Sequence, residues 1–268
     1  MIINNKKFKT WPIVIHANGP GKEGEVWKKT IKMFEEMEER TEPQPEEFDL
    51  TIMTWTVAGE KTILQDCFAK MNVNLILLEI EKPFNWLDKI KRVKEILPYI
   101  DTKYVMCLDS TDVIVSTDEP EGQIWSDLIN TFKDKSCKLL FNAEKYKWPE
   151  ENRGVDDPMG MKHYINLLKQ TEQFEERLYS DLLDSEFMRF NSGAFIGETE
   201  FTKTVYNKVW NITEPFYKDG INEGLFGGDQ GFLRIAQSEF FPDMMIDYSC
   251  SIFQCLAGVE KEEVVLNV

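Results

Sequence analysis

The chain has 268 residues, enough for one large domain with a full core. Its 47 acidic residues outnumber 31 basic ones, and the resulting charge of −16 disfavours nucleic acid and anionic membrane as partners. No apolar run approaches the ~18 residues of a membrane span, and the five cysteines, none in a CxxC pair, read as buried free thiols of a soluble, cytoplasmic protein.

Trp11 to His16 predicts a short strand ending in a turn-rich loop, His-Ala-Asn-Gly-Pro-Gly-Lys. Apolar spacing then predicts a helix over Glu23 to Arg40, stopped by the Pro- and Glu-rich connector Thr41 to Glu47. A regular alternation follows: strand Asp49 to Val57, helix Glu60 to Met71, strand Val73 to Ile80, helix Asn85 to Ile100, and a third strand from Tyr104. This βαβαβ order argues for a parallel, doubly wound, nucleotide-binding half of α/β class. Further elements are expected as helix Gln123 to Lys135, strand Lys138 to Ala143, loop Tyr146 to Met161, helix Lys162 to Leu183, strand Phe190 to Gly197 and helix Phe201 to Ile212. The Gly-Gly-Asp-Gln-Gly turn opens another helix, and Ile246 to Leu256 and Val264 to Val268 close the chain as strands.

The chemically informative stretch is Tyr104 to Ser116, YVMCLDSTDVIVS. A continuous apolar strand runs into Asp109 and Asp112 at the carboxyl end where open α/β sheets bind ligands. Three residues apart across a tight turn, the two acids can reach one hard cation, although a solvated turn has the same composition. Asn18, Gly19 and Lys22 form a loop whose N–H groups and single cation suit a diphosphate, or an ordinary turn.

The segments CLDSTDVIV, NAEKYKWPE, RFNSGAFIG, GGDQGFL and IDYSCSIFQCLAGVEKEEVVLNV together resemble the glycosyltransferase domain of the procollagen lysyl hydroxylases. The FNSGAFIG and GGDQG pieces are equally similar to glycogenin-type retaining transferases. The resemblance covers most of the chain from Asp49 to Val268. It implies a single-domain GT-A fold with a mixed central sheet, a UDP-sugar donor and manganese or magnesium. IVIHANGPGK resembles a family segment that follows EVVL, whereas here it precedes everything. The chain therefore looks like a circular permutant, with residues 1–48 carrying the metal and phosphate loop. Residues 49–145 would form the nucleotide half and 146–268 the sugar and acceptor half.

The resemblance implies His16 as third metal ligand beside Asp109 and Asp112; otherwise a lone histidine reads as structural. It places Thr54, Trp55 and Thr56 at the edge of the uridine site, Lys89 at the donor, and Trp148 beside the acceptor cleft. For Trp55 and Trp86, core packing competes with base stacking. Ser110 is expected near ribose or base. Asn191, Ser192, Gly193, Asp229 and Gln230 are expected around the sugar, with Asp229 also suited to a helix N-cap. The expected activity is metal-dependent, retaining transfer of a hexose from UDP-glucose, or UDP-galactose, to a hydroxyl acceptor such as a collagen-like hydroxylysine glycan. Transfer to hydroxymethylated DNA bases and a non-catalytic sugar-binding module are the alternatives; the acidic balance opposes the first, and the intact acids oppose the second.

Overall fold

The computed structural model describes residues 2–116, 123–145, 185–187, 189–218 and 228–267. Trp148 and the expected loop and helix over 146–183 lie outside them.

Eleven strands and six α-helices are described. The strands are β1 (Ile2–Asn5), β2 (Val14–His16), β3 (Leu50–Val57), β4 (Ile76–Ile80), β5 (Tyr104–Leu108), β6 (Val113–Val115), β7 (Leu139–Glu144), β8 (Arg189–Glu198), β9 (Met244–Ile246), β10 (Phe253–Cys255) and β11 (Val264–Asn267). The helices are α1 (Glu25–Glu35), α2 (Ile63–Lys70), α3 (Trp86–Ile96), α4 (Ile124–Asp134), α5 (Thr199–Lys218) and α6 (Asp229–Phe240).

The expected alternation from β3 to β5 is present, with helix ends set by local chemistry. Thr62 and Gln65 form a reciprocal capping box at α2. The Asn85 side chain accepts from Leu87 N at 2.9 Å at the start of α3. Helix α1 is shorter than its apolar spacing suggested at both ends: a separate 3-10 turn over Gly19–Glu23 and the cap Gly24 precede it, and it stops at Glu35, before Arg40.

The main sheet is six-stranded and mixed, in the order β4-β3-β5-β8-β7-β9. Strands β4, β3 and β5 are parallel, as the alternation required, and β8 is antiparallel to both β5 and β7. Side chains alternate across the sheet with period two. Leu50, Ile52, Tyr104, Met106 and Leu108 join the core containing residues of α1, α2 and α4. Met53, Trp55, Val105 and Cys107 join the opposite core beneath α3, α5 and α6.

Two features depart from the sequence expectation. The strand read over Trp11 to His16 is confined to Val14–His16, and β2 lies outside the main sheet, in a three-stranded sheet, parallel to β10 and antiparallel to β6. Pro12 has no N–H to donate to a ladder, and β2 retains only three residues. The last strands are also separate: β9 extends the main sheet, β10 flanks β2, and β11 pairs antiparallel with β1.

The register between β7 and β8 breaks at one place. Phe141 faces Phe195, but the next residue, Asn142, faces Asn191. Ser192, Gly193 and Ala194 are therefore skipped by the β7 register, a bulge of the kind that re-aims side chains beside functional sites. The β5 ladder ends at the same level, where Leu108 faces Ala194 and Asp109 N donates to Gly193 O at 2.7 Å. This opening in the sheet positions the site.

Candidate metal centre

Three segments converge on this opening. Strand β2 delivers His16, the end of β5 delivers Asp109, and the turn into β6 delivers Asp112. Ala17 N donates to Asp112 O at 2.8 Å and fixes the β2 loop against that turn. One donor atom from each of His16, Asp109 and Asp112 lies within 4.8 Å of the other two. His16 Nε2 is 3.8 Å from Asp109 Oδ2 and 3.6 Å from Asp112 Oδ1.

Gly193 makes this approach possible. A Cβ there would stand 2.7 Å from Asp109 Oδ2 and overlap His16 Cε1. Sequence reasoning reserved the small residue for a ligand, whereas the structure uses it to seat two of the three candidate ligands.

Each carboxylate divides its oxygens in the same way. Asp112 turns Oδ1 to His16 and Oδ2 to Lys22 Nζ, 2.9 Å away. Asp109 turns Oδ2 to His16 and Oδ1 to Lys89 Nζ, 2.5 Å away. Outer partners of this kind orient ligating carboxylates. One imidazole nitrogen and two carboxylate oxygens form a donor set that fits manganese or magnesium, and the two lysines stand behind the ligands rather than between them.

Burial and neighbouring charges set the protonation states. Burial opposes a charge on His16, but Asp112, Asp109 and Glu144 raise its pKa above the ordinary 6.5. Burial also opposes ionisation of Asp112, yet His16 and Lys22 hold its carboxyl well below the usual range. Buried Lys89 stays charged because Asp109 and Asp229 outweigh its desolvation. Its ammonium also sits 4.9 Å from the Trp55 ring centroid and 5.3 Å from that of Trp86.

The remaining expected residues divide into those at the opening and those in the core. Gly19, at φ +50°, begins the turn carrying Lys22, whose side chain is nearly half exposed. Asp229 is the first residue of α6 rather than its cap, which is Gly228. Burial raises the Asp229 pKa, Lys89 draws it back and Asp109 adds to the rise. Gln230 accepts from Ser192 N at 3.2 Å, and Asn191 accepts from Gly193 N at 2.9 Å. Ser110 lies in the β5–β6 turn, where its carbonyl accepts from Leu64 N.

Trp55 belongs to the core. Its indole N–H donates to Lys89 O at 3.1 Å, and its ring packs edge-on to Phe195. Thr54 is fully buried and donates its hydroxyl to Leu108 O at 2.7 Å. The Thr56 hydroxyl turns to Glu60 O at 3.3 Å. Of the tryptophans considered for the nucleoside, Trp86 is the one at the surface, 36 % exposed and edge-on to Phe84.

Sequence reasoning missed Glu144, Asn142 and Cys255. Glu144, 4 % exposed, accepts hydrogen bonds from Asn18 Nδ2 and, at 3.0 Å, from Gln230 Nε2. It ends the buried strand LLFNAE, the same pattern of an acid closing an apolar run that singled out Asp109. Asn142 faces His16 Nδ1 at 3.1 Å, and Cys255 Sγ stands 3.9 Å from the same nitrogen. All five cysteines are buried and unpaired, as their spacing suggested. Among the described residues, no helix is long and apolar enough to cross a membrane.

No protein-family model matches the chain, and no curated protein matches it.

Proposed function

We propose that the chain is a metal-dependent glycosyltransferase of GT-A type. It moves a hexose with retention from a UDP-sugar, UDP-glucose before UDP-galactose, to a hydroxyl on a peptide-linked or glycan acceptor. One observation carries this reading: His16, Asp109 and Asp112 meet at the opening of the mixed sheet, with a separate lysine on each carboxylate. Such a centre, loaded with a divalent ion, would offer positive charge at the sheet opening, and a nucleoside diphosphate is an anion that uses it.

His16, Asp109 and Asp112 would hold manganese or magnesium, which when bound neutralises charge on the departing diphosphate. Lys22, on its exposed turn, neutralises Asp112 and, being half exposed, would be free to turn its ammonium to a phosphate oxygen. Lys89 holds Asp109 in orientation through its Oδ1, while Asp229 accepts hydrogen bonds from sugar hydroxyls. In a front-face transfer the leaving diphosphate takes the acceptor proton, so the chain need supply no dedicated base.

The deciding experiment measures UDP release from UDP-glucose and UDP-galactose with manganese, then after chelation. Release that stops with the chelator and returns with manganese is expected. Binding of UDP without release from either sugar, tested with hydroxylysine glycans and simple glycosides as acceptors, would leave a sugar-binding module instead.

A further inference from the structure

Outside the metal ligands, Glu144 is the buried acid on which most site segments depend. Its carboxylate accepts from Asn18 Nδ2 on one oxygen and from Gln230 Nε2 at 3.0 Å on the other, and Asn191 also hydrogen-bonds it. Each of these amides turns its own oxygen to a backbone N–H. Asn18 Oδ1 accepts from Ala257 N at 3.3 Å, Asn191 Oδ1 from Gly193 N at 2.9 Å, and Gln230 Oε1 from Ser192 N at 3.2 Å. The three amides therefore have defined orientations, nitrogen to Glu144 and oxygen to main chain.

These contacts join three parts of the site. Asn18 lies two residues beyond His16 and four before Lys22. Asn191 holds Gly193, against which His16 and Asp109 rest. Gln230 follows Asp229 on α6. We propose that Glu144 is a positioning residue that sets the metal centre against Asp229 by orienting Asn18, Asn191 and Gln230. This role rests on the transferase reading for its catalytic consequence, but not for its structural one.

Only an acceptor on both sides satisfies this pattern. In Glu144→Gln the new NH2 must face the NH2 of either Asn18 or Gln230, so one amide has to turn and abandon its main-chain partner. Size and shape are kept while donor and acceptor are mismatched, and a buried mismatch is costly. The double variant Glu144→Gln/Gln230→Glu restores the donor–acceptor pairing at positions 18 and 230 and leaves the contact of Asn191 as in the single variant. The amide introduced on β7 then accepts from Asn18 and donates to the carboxylate introduced on α6, whose second oxygen still accepts from Ser192 N.

The test measures melting temperature without metal, UDP affinity with manganese, and the kcat and KM of UDP release for the parent and both variants. Glu144→Gln is expected to lower kcat at least tenfold and to lower the melting temperature. UDP affinity should fall less than kcat, because the side chains of His16, Asp109, Asp112 and Lys22 are themselves unchanged. The swap should recover most of the melting temperature and at least part of kcat. A Glu144→Gln chain with parental kcat and melting temperature overturns the proposal, and so does a swap that is no better than the single variant, folded or not. A parent that releases no UDP sinks the transferase reading alone, and the melting temperatures then still judge the amide network.

Discussion

Replacing Gly193 with alanine tests the metal centre without assuming any reaction. The added Cβ would lie 2.7 Å from Asp109 Oδ2, 3.1 Å from Asn191 Oδ1 and in overlap with His16 Cε1. The neighbours cannot all yield cheaply, because Asp109 is tied to Lys89 and Asn191 to Gly193 N. Crowding a packed site costs about 1–3 kcal/mol, and the stiffer unfolded chain returns about 0.4–1 kcal/mol. A net loss of about 1–2 kcal/mol corresponds to about 3–8 °C in melting temperature at this size. The effect on the ion should be larger than this, since disturbing the groups that orient metal ligands costs up to about a hundredfold in metal affinity. At a manganese concentration a hundred times the parental Kd, bound ion stabilises the parent by about 2.7 kcal/mol. The same concentration would contribute about 0.4 kcal/mol to the variant. Melting curves with and without manganese, supported by calorimetric titration, read both quantities. A variant that keeps the parental manganese shift would refute the assignment of His16 and Asp109 as ligands seated on Gly193.

Asp112→Ala should abolish metal-dependent UDP release, losing on the order of several kcal/mol of transition-state stabilisation; turnover near the parental value at saturating manganese would contradict it. Lys22→Ala should weaken UDP binding by about 1.5–3 kcal/mol, the range for charge-assisted hydrogen bonds. Its half-exposed ion pair with Asp112 is worth about 1 kcal/mol or less to stability, so a large loss of melting temperature with intact UDP affinity would reverse that assignment. Because the His16 pKa is raised above 6.5 in the folded, metal-free chain, its charged form contributes stability that is full below pH 6.5 and lost as pH rises through the folded pKa. The same proton competes with a metal at Nε2, so manganese affinity should climb across that interval. Titrations at several pH values check this, and a flat profile would mean that His16 is not a ligand.

Parts of this were legible in the chain because the signals are local. A run of buried residues from Tyr104 to Leu108 followed by two acids places Asp109 and Asp112 at a strand end without any partner being known. The helices between β3 and β5 follow from spacing and caps within a few residues. What was not legible depends on long-range pairing. The partners of β2 are β6 and, near the other end of the given sequence, β10, and no local pattern in Val14–His16 selects them over the main sheet. Trp55 was placed near the nucleoside by its position at a strand end, but its phase along β3 is that of Met53, which points to the α3 side. Glu144 carried the same strand-end signal as Asp109. Its role depends on Asn18 and Gln230, which only the folded chain brings to it.

The pairing of β1 with β11 has its own consequence for folding. Ile2 faces Asn267 and Asn5 faces Val264, so the two segments lie as the arms of a hairpin whose turn is missing. Ile3, Val264 and Leu266 are buried in the core shared with α1, and Lys29 Nζ reaches Leu266 O at 3.3 Å. In the unfolded chain these arms diffuse apart, and bringing them together again must overcome the closure entropy of all the residues between them. A covalent turn between Asn267 and Ile2, such as Asn-Gly, would remove that freedom beforehand. By the relation used for a crosslink closing a loop of this length, the gain is about 5.6 kcal/mol. The order in which the segments are strung is therefore separable from the contacts they make. A ring reopened at the exposed turn of Gly59 should recover the same strand pairings, with β11 leading directly into β1.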